Sequence, residues 1–190
     1  PVLNSVRTAV MKLTGKKPLV VGPGIKTGLN ILLDNPASVG SDLVVGAAAA
    51  LAMHAPPLII IDMGTATTMT VIDREARVLG GAIIPGVGIS LEALASGTSQ
   101  LPHISLDAPK KCISTDTIEA MRSGSVYGTA AMLDGMIERM EAELGEPAAV
   151  IATGGLGGCI IPYCRREITY DKNLLLNGLW ALYQKNKRKR

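Results

Sequence analysis

Three observations predict an α/β fold for this chain of 190 residues. Short apolar, β-rich runs such as Leu58–Ile61 alternate with helix-forming stretches such as the Ala-rich Leu43–Met53. The strand-like runs end on polar or glycine turns, D-x-G-T at 62–65 and T-G-G at 153–155. An apolar fraction of 47% and a mean hydropathy of +0.30 supply a packed core, and with no Phe that core is aliphatic.

Taken in order, Val2, Val6, Val10 and Leu13 fall at near-helical spacing, with Gly15 as the stop. Pro18–Val21 reads as a short strand ended by Gly22-Pro23-Gly24, and irregular chain follows as far as Asn35-Pro36. Pro36 suits the first turn of a helix with Asn35 as its cap. The helix Leu43–Met53 comes next, with Asp42 at or near its start. A carboxylate there is either a first-turn residue favoured by the helix dipole or a general base facing a cleft. The local sequence leaves both open.

Leu58–Ile72 is the central stretch: one buried strand turning into a second. Its turn carries Asp62, Gly64 and the hydroxyls of Thr65, Thr67 and Thr68, groups that suit a phosphate and its cation. Asp73–Ala76 is a hairpin turn and Val78–Ile84 a third strand, so the three open as an antiparallel meander. Pro85-Gly86-Val87-Gly88 leads into a helix over Ile89–Ala95. Asp116 then caps a long helix running to Leu144, with Glu119 as capping partner and Gly145 as the stop. Small residues at Gly124, Ser125, Gly128, Ala131 and Gly135 suggest a close helix–helix contact, internal or between subunits. Met121, Met132, Met136 and Met140 read as core fillers. Ala148–Ala152 is a buried strand delivering Thr153-Gly154-Gly155, a turn that suits the sugar or phosphate edge of a nucleotide. A final helix spans Leu174–Tyr183.

Composition narrows the class further. The longest apolar helix is too short to span a bilayer and no signal peptide opens the chain, which implies a cytoplasmic protein without membrane attachment. Cys112, Cys159 and Cys164 lack C-x-x-C spacing, and with His54 and His103 far apart they read as free thiols, not a zinc site. Lys185, Lys187, Arg188, Lys189 and Arg190 account for the basic balance. Without them 14 basic residues face 16 acidic ones, so the tail reads as a frayed, solvated end and not a nucleic-acid surface.

No G-x-x-x-x-G-K-[ST] occurs, which excludes a P-loop enzyme, and no strand leads into G-x-G-x-x-G as in a Rossmann domain. The order β-β-β-α-α-β-α, with D-x-G-T-x-T-T in the first hairpin and T-G-G later, resembles the second half of the actin-like ATPase and sugar-kinase superfamily. Seven motifs in order then sharpen the likeness: G-P-G-x-K-T-G (22–28), D-N-P (34–36), V-G-x-D (39–42), D-x-G-T-A-T-T (62–68), P-G-x-G-I-S (85–90), T-I-E-A-M (117–121) and T-G-G (153–155). Together they are similar to type III pantothenate kinase, and they cover essentially the whole chain.

The resemblance implies a ribonuclease-H-like (actin-like ATPase) fold, with residues 1–56 the remainder of the first domain and 57–190 a complete second domain. It implies ATP-dependent phosphorylation of pantothenate, the first step of coenzyme A biosynthesis, with Mg2+ and a monovalent cation (K+ or NH4+), in a homodimer. Asp42 matches the catalytic base. Gly40, Ser41, Asp42 and Leu43 match the pantothenate-contacting segment, and Thr117 a pantothenate contact near the subunit interface. Asp62 matches the monovalent-cation ligand and Thr65 an ATP phosphate contact. The sequence departs from the family pattern in three places. Leu43 stands where an Arg is usual, Leu33 where a Tyr is common, and the family's first phosphate-gripping hairpin is not in this sequence. The expectation is therefore an N-terminally truncated portion, inactive by itself, with weakened pantothenate affinity. The alternative is a non-catalytic dimeric binding or regulatory protein of the same fold.

Overall fold

The computed structural model describes residues 2–187. Helix α1 (Val2–Thr14) stops at Gly15, whose φ of +66° lets its N–H reach back to the Met11 carbonyl. Strand β1 (Asn30–Ile31) and a single 3-10 turn (Pro36–Ser38) lead to α2 (Ser41–Met53). A meander of β2 (Leu58–Met63), β3 (Ala66–Ile72) and β4 (Arg77–Pro85) follows, then α3 (Val87–Gly97) and the long α4 (Thr117–Leu144). The chain closes with β5 (Ala149–Thr153), α5 (Gly157–Ile160), β6 (Thr169–Tyr170) and α6 (Leu174–Asn186).

The strands form one mixed sheet in the order β1-β4-β3-β2-β5-β6. β2, β3 and β4 are antiparallel, as the turn signals predict, while β5 lies parallel to β2, β6 parallel to β5 and β1 parallel to β4. Strand alternation divides the core between two faces. Ile59, Ile61, Met63, Met69, Val71, Val150 and Ala152 pack on one side with residues of α3, α4 and α5. Leu58, Ile60, Ile72, Val78 and Ile151 pack on the other with Ala47, Ala49 and Ala50 of α2 and Leu174 of α6. Each such Leu or Ile contributes about 1.5–3 kcal/mol when fully buried. The alanines of α2 and Gly178 of α6 bring these helices into backbone contact: a Cβ at Gly178 would sit 2.1 Å from the Val45 carbonyl oxygen. That contact fixes where the start of α2 lies relative to the sheet.

Several expectations change. Pro18–Val21 is not a strand, because among the described residues no neighbouring strand offers it a ladder. α2 begins at Ser41, so Asp42 lies inside its first turn. Asn35 makes no side-chain cap; its carbonyl instead accepts from Ser38 Oγ at 2.8 Å. Asp116 Oδ1 accepts from the Glu119 N–H at 3.0 Å, but the Glu119 carboxylate turns to Arg122 (2.9 Å) instead of closing a reciprocal box. A Cβ at Gly124 or Gly128 would meet nothing within 4 Å, so among the described residues no other helix presses on those glycines. The end of α6 is docked and not frayed: Lys185 Nζ donates to the Thr27 carbonyl at 2.9 Å, and Asn186 exchanges bonds of 2.8 and 2.9 Å with the Lys26 backbone. Pro1 and the basic residues Arg188, Lys189 and Arg190 lie outside the described residues. Met121 is buried, and Met132, Met136 and Met140 pack against the core as filler. No helix among the described residues is long and apolar enough to cross a membrane.

Candidate active site

The sheet face covered by α2 and α6 turns from apolar to polar at its upper end. On β2, Ile60 is buried and Asp62, two residues on, shares its face at the end of the strand. Thr68 of β3 is the register partner of Asp62 across the antiparallel pair, and Thr153 of β5 is its partner across the parallel pair. Thr70 lies two residues further along β3 on the same face. Across from this polar row stands the first turn of α2. Asp42, Leu43 and Gly46 therefore share a narrow recess with Ile60, Asp62, Thr68, Thr70, Thr153 and Leu175.

Asp42 is exposed and sits in the first turn of α2, near the positive end of the helix dipole. Its Oδ1 accepts from the Leu43 N–H at 2.9 Å. A Cβ at Gly40 would fall 2.3 Å from that oxygen, so only glycine there leaves the carboxylate in place. Asp62 is half-buried. Burial first, and the Asp42 carboxylate second, hold its carboxyl above the ordinary aspartate value. Among the described residues neither lysine nor arginine lines the recess to offset the two acids. Two carboxylates with three threonine hydroxyls form a hard-oxygen donor set that fits an alkali or alkaline-earth cation, which would relieve the raised Asp62.

The remaining expected residues spread around this centre. Gly40 and Ser41 flank Asp42 at the helix start. Thr65 is exposed in the β2–β3 turn, outside the recess, and its carbonyl accepts from the Gly86 N–H at 3.2 Å. Glycine is required at Gly86 and not at Gly64: a Cβ at Gly86 would lie 2.3 Å from the Thr65 carbonyl oxygen, whereas one at Gly64 makes only ordinary contacts. Thr67 is buried on the opposite sheet face, so it leaves the hydroxyl cluster. Thr117 sits apart as well, in a groove of about 610 Å³ between α3 and α4 that shares no lining residue with the recess. Thr70 and Leu175 join the recess without any sequence expectation, and Thr153, expected in the T-G-G turn, joins it beside Asp62. For Thr70 the signal was available, since it falls in phase with Thr68 on the same strand. A larger recess, about 850 Å³, lies elsewhere, between the β3–β4 turn and the end of α4, and contains neither acid.

Structural comparison finds this architecture in proteins of low sequence identity, which speaks to fold alone. A Baf family protein from Campylobacter jejuni aligns with a TM-score of 0.59 at 21% identity, over 83% of this chain and 68% of its own. The ethanolamine utilization protein EutJ from Carboxydothermus hydrogenoformans aligns with a TM-score of 0.52 at 16% identity, over 97% of this chain and 72% of its own. The fold is thus of the ribonuclease-H-like, actin-like ATPase class, with the acid-lined recess beside its first hairpin. Sequence comparison gives the family. The type III pantothenate kinase model matches residues 1–139. Type III pantothenate kinases from Exiguobacterium sp. and Syntrophus aciditrophicus are 44% and 41% identical over 99% and 98% of this chain, and it spans 74% and 73% of their length. The chain belongs to the type III pantothenate kinase family, kinases that use ATP and a divalent metal to phosphorylate pantothenate in coenzyme A biosynthesis.

Proposed function

We propose that this chain carries the pantothenate-side base and one phosphate-side cation site of an ATP-dependent pantothenate kinase, in Asp42 and Asp62 respectively. The observation that supports this reading is the convergence of the two carboxylates, from separate elements, on one recess. Asp42 takes the proton of the pantothenate primary hydroxyl as its oxygen attacks the γ-phosphorus of ATP. The bond from that phosphorus to the β–γ bridging oxygen breaks, and ADP leaves with the electron pair. Gly40, Ser41 and Leu43 border the substrate, while the hydroxyl of Thr65 faces ATP phosphate from the hairpin turn.

Asp62, with Thr68, Thr70 and Thr153, would hold K+ or NH4+, and the divalent metal of the reaction is Mg2+. Bound there, a cation supplies positive charge that neutralises phosphate. The Thr153–Gly155 turn meets the nucleotide beside it. Thr117 contacts pantothenate from a second copy of the chain in a homodimer. Its separation from Asp42 within one chain and the open space at Gly124 and Gly128 both favour that arrangement. In this reading residues 1–56 belong to the first domain and 57–190 form the second, and the enzyme works in the cytoplasm.

Steady-state assay of ADP release from the full protein, with ATP and pantothenate, tests the proposal: turnover dependent on both substrates is expected. Leu43 puts an apolar side chain into the recess where a substrate-holding cation would help, which favours a second reading as a non-catalytic binding protein. Pantothenate binding without ATP consumption would support that reading instead.

A further inference from the structure

Thr153-Gly154-Gly155 is fixed on both sides, and its outer side depends on one side chain. On the inner side Gly154 has a φ of +99°, and a Cβ there would lie 2.5 Å from the Met63 carbonyl oxygen and 2.6 Å from the Met63 nitrogen. The turn therefore rests directly on the residue after Asp62, while Thr153 is the register partner of Asp62 itself. On the outer side Tyr170 donates its hydroxyl to the Gly154 carbonyl at 2.8 Å. Its ring also lies over the chain that follows: a Cβ at Gly157 would fall 2.4 Å from a ring carbon, and one at Gly158 3.7 Å from another.

Tyr170 is itself held. It pairs with Ala152 on the adjacent strand, the next residue, Asp171, donates its N–H to the Ala152 carbonyl at 2.8 Å, and Asp171 Oδ1 accepts from the Asn173 N–H at 2.8 Å where α6 begins. We infer that Tyr170 is a positioning residue for the nucleotide-side turn, setting the direction of the Gly154 peptide beside Asp62. The inference rests on the proposed kinase reading, in which that turn meets ATP. The hydroxyl works at a partly exposed position, where its bond adds little to stability but fixes a peptide that glycine leaves free to rotate.

The test is steady-state kinetics of the full protein with Tyr170→Phe, which keeps the ring over Gly157 and removes only the bond to Gly154. The expected result is a rise of about fivefold in KM for ATP, with kcat and KM for pantothenate within about twofold of the parent and the melting temperature little changed. Tyr170→Ala, which also frees the chain under the ring, is expected to raise KM for ATP further. An unchanged KM for ATP in Tyr170→Phe overturns the inference, as do equal rises in both KM values accompanied by a lower melting temperature. An active parent with an indifferent variant removes only the role of Tyr170. A parent that turns over no pantothenate removes the kinase reading and this inference with it.

Discussion

Asp42 and Asp62 face one recess from different elements, the first from the opening turn of a helix and the second from the end of a strand. The charge of Asp42 adds to burial in lifting the Asp62 carboxyl above its ordinary value. The two acids are thus electrostatically coupled without sharing a hydrogen bond, and their expected roles differ accordingly.

The exposed Asp42, at the start of its helix and open to solvent, suits a proton acceptor. Asp42→Asn keeps the shape and removes the base. It is expected to lower kcat by on the order of 10²–10⁴-fold while circular dichroism and melting temperature stay near those of the parent. Full activity in the variant would rule out the assignment.

For Asp62 the effects on stability and activity run in opposite directions. Its folded-state value is raised, so its favourable contribution is complete at pH below the ordinary aspartate value and is lost as pH rises through the elevated one. At neutral pH, in buffer without potassium, ammonium or nucleotide, the ionised group is a liability. Asp62→Asn is therefore expected to raise the melting temperature by about 2 °C while abolishing the response of turnover to added potassium. Thermal melts at pH 7 and a potassium titration of the rate check both halves; a melting temperature that falls would contradict the first.

Gly178 is where α6 touches the backbone of α2. A methyl group there must push the helices apart, and α2 carries Asp42. Gly178→Ala is expected to cost about 1–3 kcal/mol in urea unfolding and to lower kcat beyond what the lost folded fraction explains. Unchanged stability would show that the interface can absorb the methyl.

The three cysteines divide by environment. Cys112 and Cys159 are exposed, whereas burial first and Asp134 second push the Cys164 thiol up to about 12. At pH 8 iodoacetamide is expected to label the first two in the native protein and to reach Cys164 only after denaturation, as mass spectrometry of the digested protein would show.

Much of this architecture was legible because it rests on local rules. Leu58–Ile61 and the hairpin turn at Asp73 announce the meander, and Asp116 and Gly145 bracket α4 within a residue of its observed ends. The short strands at Asn30 and Thr169 were not legible, since two residues show no alternation and exist only through their partners. Pro18–Val21 failed for the converse reason: strand-like composition, with no partner strand among the described residues. Within the site, the motif at 62–68 located the acid. Only the register separated Thr68, which faces it, from Thr67, which is buried on the other side. Thr153 could be placed beside Asp62 only by a pairing between residues distant in sequence. The glycines at 86 and 154 gained their meaning from backbone contacts that sequence does not display.

Thr117 and Asp42 open onto separate cavities, and in the proposed dimer one substrate would touch Asp42 of one copy and Thr117 of the other. Each reaction centre would then be a composite, and damage could be repaired by exchange. Mixing inactive Asp42→Asn chains with inactive Thr117→Ala chains would place both lesions in one centre of the hybrid and leave the other centre whole. About a quarter of the parental activity would return, from two preparations that have none apart.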